Sequence, residues 1–194
     1  MIFRLRLFIA MTAVSALPGC VDPPRYPYVD VHHLVTAIDE SRSVAEQGSA
    51  DDQYRLGLRY EQAMLLDPRE AVHWYRLAAT QSHPEALYRL CVLSDLGRGI
   101  PQDYQEALRW CHLAANQGHR QAMFTMGSYY DKARAVPRDP VQAHRWYNLA
   151  SAYGYHEAAK WRDRLALDMT PAQLAEAQLF ARNWKPTTQN ILQE

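Results

Sequence analysis

Net charge, cysteine and glycine are all scarce in this 194-residue sequence, and each scarcity excludes something. Twenty-one Lys and Arg meet 21 Asp and Glu, so no cationic excess waits for a phosphate backbone and nucleic acid is not an expected partner. Three cysteines cannot knit a disulfide scaffold, and eight glycines with 11 prolines are too few for a collagen-like or low-complexity chain. No nucleophile elbow of the G-x-S-x-G kind, phosphate loop or dinucleotide fingerprint occurs. The eight histidines, His32, His33, His73, His83, His112, His119, His144 and His156, form no H-x-x-x-H or H-E-x-x-H pair. No metal and no other cofactor is therefore expected. What is present is 48% hydrophobic and 22% charged residues, an ordinary globular composition with enough apolar material for a sizeable core.

Residues 1–19 read as an export signal: Arg4 and Arg6, then an apolar run from Leu7 to Leu17 that is short for a bilayer span. Leu17-Pro18-Gly19-Cys20 resembles the lipobox of bacterial lipoproteins. That resemblance implies cleavage before Cys20 and lipidation of its sulfur, and several acyl chains on one residue anchor stably. A simple cleavage near Ser15-Ala16 is the competing reading, but a lone cysteine closing the apolar run favours the anchor. Residues 20–29 carry Pro23, Pro24 and Pro27, an extended spacer off the membrane. Val21, where an aspartate could stand, implies outer-membrane delivery by the same resemblance.

The body repeats. Trp74, Trp110 and Trp146 lie 36 residues apart, and so do Asp67, Asp103 and Asp139, then Ala71, Ala107 and Ala143. A preceding half-unit returns as Tyr54, Leu56, Gly57, then Tyr88, Leu90, Cys91, then Phe124, Met126, Gly127, its first step being 34. Each aspartate opens a helix, with proline next in two of three cases and Glu70, Glu106 or Gln142 placed to close a capping box. Ala at +4, Trp at +7 and Leu at +10 mark its apolar face. Stops follow at Ser82, Gly118 and Gly154, and the other helix of each unit starts near Ala50, Glu85 and Arg120. His83 and His119 fall at equivalent turns, which suggests a capping role.

A-x-x-Y-x-L-G-x-x-Y, then G-x-G-I-P-x-D-x-x-x-A-x-x-W, then A-A-x-Q-G, resembles the Sel-one-like repeat, a relative of the tetratricopeptide repeat. The implied fold is all-α: a right-handed α-solenoid of helix-turn-helix units with capping helices at both ends. Residues 30–48 form the N-terminal cap and 49–168 the array, with units at about 48–83, 84–119 and 120–155 and a fourth first-type helix from His156 to Leu167. Thr170-Pro171-Ala172-Gln173 opens a C-terminal cap over 169–185, and 186–194 are a frayed tail. The three tryptophans occupy one apolar-flanked position in each unit, so packing explains them better than stacking on a sugar.

Two cysteines fall in unit two, Cys91 at the glycine position and Cys111 at the tyrosine position of its neighbours. Either the pair exchanges volume, or export allows a disulfide if the Cα atoms come within about 7 Å.

Some cysteine-rich relatives of this repeat family act on β-lactams, but the chain has no S-x-x-K or K-T-G and no cysteine pair in every unit. The expectation is therefore a non-catalytic adaptor of the bacterial envelope, exported to the periplasm and held at the membrane by its lipid. It binds envelope proteins on the concave face lined by first helices. The residues that vary among units there are Arg55, Leu58, Arg59 and Glu61, then Arg89, Val92, Leu93 and Asp95, then Ser128, Tyr129, Asp131 and Lys132. The alternatives are a subunit of a secretion or exopolysaccharide-export assembly, and an enzyme directed at the cell wall.

Overall fold

The computed structural model describes Ile38, residues 41–62 and residues 67–187. The export signal, Cys20, the proline-rich stretch, most of residues 30–40, the loop residues 63–66 and residues 188–194 lie outside the described part.

The array is built from helical hairpins. A helical turn at 41–45 leads to α1 (Ala50–Gln62) and α2 (Pro68–Thr80), then α3 (Pro84–Leu96) and α4 (Tyr104–Asn116), then α5 (Arg120–Asp131) and α6 (Pro140–Ala152). Then come α7 (Ala158–Ala166) and α8 (Pro171–Asn183). From α1 to α7 each helix packs on its neighbours in the chain, the mark of a solenoid. α8 breaks the order by turning back onto α6.

The start signals operate as the sequence suggests. Asp67 accepts from the backbone N–H of Arg69, Asp103 from those of Gln105 and Glu106, and Asp139 from that of Gln142. Among the described residues, the return half of the capping box is made only at Thr170, with Gln173. Glu70 and Glu106 point elsewhere, each to the preceding second helix: Glu70 sits 3.3 Å from Arg42 and Glu106 3.4 Å from Arg76. An ion pair between units takes the carboxylate that the local cap would otherwise use. The stops at Ser82, Gly118 and Gly154 all take positive φ, at 59°, 91° and 88°.

Small residues let the helices approach. Ala71, Ala107 and Ala143, with Ala78, Ala114 and Ala150, are buried on the second helices, and Leu56, Leu87, Leu90, Met123 and Met126 fill the first-helix side. The equivalent tryptophans are not equal. Trp74 and Trp146 are 5% and 4% exposed, whereas Trp110 is half-buried and its Nε1 donates to Glu106 Oε1 at 3.2 Å. Phe180 of α8 lies over Trp146, ring centroids 6.4 Å apart. Trp146→Ala should therefore cost about 3 to 5 kcal/mol in urea unfolding, and Trp110→Ala distinctly less. Equal losses would contradict this ranking.

The C-terminal segment departs from the frayed tail of the sequence reading as far as it is described. Trp184 sets its ring edge-on to Tyr153 at 5.4 Å, and the backbone N–H of Thr187 donates to the Asn116 carbonyl at 2.8 Å. The end of α4 has orphan carbonyls, and residues 185–187 run across them.

Candidate functional site

The twelve variable first-helix residues divide by what they touch. Leu93 and Tyr129, expected on the binding face, are 3% and 2% exposed and belong to the core. Only Arg59, their equivalent in unit one, reaches solvent. The Tyr129 hydroxyl donates to Asp95 Oδ1 at 2.6 Å, so this phenol faces another unit rather than a ligand.

The three equivalent carboxylates, Glu61, Asp95 and Asp131, are engaged within the chain. Glu61 accepts from the Tyr75 hydroxyl at 2.5 Å and lies 3.5 Å from Arg89 of the next unit. Asp95 receives both Tyr129 and Arg134, the guanidinium reaching its two oxygens at 2.9 and 3.0 Å. Asp131 pairs with Arg138 at 3.6 Å. Burial, reinforced by Glu61 or Asp95, pushes the Tyr75 and Tyr129 phenols far above their ordinary range, so both stay protonated donors. Glu61 and Asp95 fasten one unit to the next through Arg89, Tyr129 and Arg134, while Asp131 and Arg138 pair within unit three.

What faces solvent is a different subset. Arg55 is exposed, with Asp52 3.5 Å away, and Lys132 is exposed with its ammonium 5.7 Å from the centre of the Trp161 ring. Between them run Leu58, Val92 and Ser128, the same position in three units, all half-buried. The face is thus a half-buried row of two apolar residues and a serine, with Arg55 beside Asp52 before it and Lys132 after it, its three acids paired within the chain.

The junctions between units carry a second repeated constellation. His83 and His119 are the N-caps of α3 and α5, each accepting the backbone N–H three residues on through Nδ1 at 3.2 Å. Their Nε2 atoms lie 3.0 Å from Asp51 and 3.1 Å from Glu85 of the preceding first helices. The imidazoles stack on Tyr54 and Tyr88, with centroids 4.7 and 4.5 Å apart. Burial holds His119 below the ordinary imidazole range although Glu85 pulls the other way, and the neutral ring is the form whose Nδ1 can accept. The spacing of 36 gave the clue to this role.

Cys91 and Cys111, left open by the sequence, are joined: S–S 2.04 Å and Cα–Cα 5.1 Å. Their neighbours explain the site. A Cβ on Gly57 would lie 2.6 Å from the Tyr75 ring, and one on Gly127 2.5 Å from the Tyr147 ring. The bridge therefore stands where the other units set a tyrosine ring against a glycine, and volume exchange and covalent bonding occur together. Among the described residues, no group of three or more His, Cys, Asp and Glu side chains is placed to hold a metal ion, and no helix is long and apolar enough to cross a membrane.

The comparisons agree with this geometry. The Sel1 repeat family model matches residues 50–83, 84–119 and 120–155. Among solved structures, c5321, a protective antigen of uropathogenic Escherichia coli strains displaying an SLR fold, is 31% identical with a TM-score of 0.72. That likeness covers 77% of this chain and 32% of the other, so the chain spans about a third of that neighbour's length. A Sel1 repeat protein from Oxalobacter formigenes is 32% identical with a TM-score of 0.60, over 66% of this chain and 98% of the other. No curated protein matches the sequence. Three units in phase, matched over more than half of the chain and folded as consecutive hairpins, place it in the Sel1 repeat family, as an all-helical solenoid of the kind that serves as a protein-interaction scaffold.

Proposed function

We propose that this protein is a non-catalytic adaptor of the bacterial envelope, exported, anchored by a lipid on Cys20, and binding an extended acidic segment of an envelope protein on its first-helix face. The carrying observation is the stripe of Leu58, Val92 and Ser128, one residue per unit, flanked by exposed Arg55 and Lys132. Repetition at a fixed spacing suits an extended ligand. The carboxylates of this face are paired with Arg89, Arg134 and Arg138 and Arg55 lies beside Asp52, so exposed Lys132 is the cation left to select an acidic partner. A lipid at Cys20 and a proline-rich spacer fit an adaptor that must reach its partner from a membrane.

The test is photo-crosslinking in cells from positions 55, 92 and 132, with the captured protein identified by mass spectrometry. One dominant envelope protein should be captured at all three positions, and its capture from position 92 should be lost in the Arg55→Glu, Lys132→Glu double variant. Labelled palmitate fed to the cells should mark the wild-type protein and not Cys20→Ser. Capture that ignores the charge reversal would refute the binding face, and a wild-type protein that takes up no labelled palmitate would refute the anchor.

A further inference from the structure

The junctions that close the three units differ at one equivalent position, which holds His83, then His119, then Tyr155. Only the middle junction seals an imidazole away from water: the His119 side chain is 4% exposed, whereas that of His83 keeps 12% and Tyr155 has no imidazole. His119 also ties three helices together. Its Nδ1 accepts the backbone N–H of Ala122 in the first turn of α5, its ring stacks on Tyr88 of α3, and its own backbone N–H donates to the Ala114 carbonyl near the end of α4.

This arrangement has no place for a second proton. A neutral imidazole has one N–H and one acceptor, and here the acceptor is Nδ1. Protonation would turn Nδ1 into a donor aimed at another donor, the Ala122 N–H, and would set a positive charge at the positive end of the α5 dipole. Arg120, the next residue, adds repulsion, and burial keeps water from the charge. Glu85 of α3 pulls the other way from 3.1 Å. Its side chain is 48% exposed and is not aligned to accept from Nε2, so solvent screens much of that attraction. Burial keeps the Tyr88 phenol protonated, so the stacked ring brings no charge. The folded chain therefore takes up this proton less readily than the unfolded one. The stability tied to the neutral ring is full above the ordinary imidazole value of 6.5 and is lost as pH falls below it.

We infer that the junction between units two and three is an acid-sensitive hinge, in which mildly acidic solution protonates His119, releases the Ala122 N–H and loosens α5 from α3 and α4. The junction at Tyr155 has no such group and stays closed. The consequence falls on the first-helix side, because α3 carries Val92 and α5 carries Ser128, and their spacing depends on this contact. The hinge rests on the junction alone and requires neither the partner nor the lipid anchor proposed above.

The test follows the full-length protein from about pH 8 to about pH 5, a range in which ordinary imidazoles change charge and Glu85 keeps its own. In a ring-proton NMR titration His119 should protonate with a midpoint below 6.5, the ordinary value. Amide exchange, corrected for the intrinsic effect of pH, should show the first turn of α5 losing protection at the acid end while the first turn of α7 keeps it. His119→Asn supplies a cap acceptor that cannot charge in this range. It should hold its α5 protection throughout, and its melting temperature should fall over the range by about 2 to 4 °C less than that of the wild type, the worth of a side-chain cap in a chain of this size. His144, also buried, titrates in both proteins and cancels from the difference. A His119 midpoint at or above 6.5 overturns the inference, as does equal pH dependence of the two proteins or unchanged exchange in α5. Should His119→Asn not fold, the wild-type midpoint and exchange decide.

Discussion

Gly127→Cys alone should destabilise the protein by about 1 to 3 kcal/mol, the cost of overpacking a closed site, whereas Gly127→Cys with Tyr147→Cys should be far more stable than the two single losses summed. The reason is the contact between α5 and α6. A Cβ on Gly127 would sit 2.5 Å from Cδ1 and 2.6 Å from Cε1 of Tyr147, a ring only 1% exposed that has nowhere to retreat. Tyr147→Cys alone removes most of a buried aromatic and should cost about 3 to 5 kcal/mol. Together the changes copy unit two, where cysteines at these positions approach to a Cα–Cα distance of 5.1 Å and bond. The loop closed would again be 20 residues, so a favourable coupling of about 3 kcal/mol is expected from cross-linking the unfolded chain. Urea unfolding of the four proteins under oxidising conditions measures it. Additive losses would show that the units do not share one packing rule at this contact.

The same comparison explains which parts of the protein were legible in the sequence. Helix starts could be read because Asp67, Asp103 and Asp139 act locally, on backbone N–H groups two or three residues away. The family could be read because Ala, Trp and Gly recur in phase. The binding face was only half legible. Arg59, Leu93 and Tyr129 occupy one register position, yet Leu93 and Tyr129 are buried and Arg59 is not. What decides this is contact with another unit, such as the Tyr129 to Asp95 bond across 34 residues, and no spacing within one helix reveals it. The return of α8 onto α6 was hidden for a related reason: its buried residue Ala177 and its contact residues Phe180 and Trp184 look like any amphipathic helix. The caps His83 and His119 were visible as equivalents, while their stacking on Tyr54 and Tyr88 emerges only when the units are laid side by side.

Reduction of the Cys91–Cys111 bond should lower stability by about 3 kcal/mol, since a cross-link closing about 20 residues removes that much freedom from the unfolded chain. At 2 to 4 °C per kcal/mol for a protein of this size, the melting temperature should fall by about 6 to 12 °C in reductant. Cys91→Ser with Cys111→Ser should show the same deficit and no further response to reductant. Cys91→Gly with Cys111→Tyr should behave differently, because it restores the ring-on-glycine contact found at Gly57 and Tyr75 and at Gly127 and Tyr147. The new phenol would also compete for an acceptor already in use. Tyr75 donates to Glu61, and the equivalent carboxylate in unit two is Asp95, which in the absence of a tyrosine at position 111 accepts from Tyr129 instead. This variant should therefore lose less than the serine pair and ignore reductant. A wild-type melting temperature unchanged by reductant would show that the bond adds nothing to stability. A glycine–tyrosine variant weaker than the serine pair would show that unit two has diverged around its cysteines and no longer accepts the packing of its neighbours.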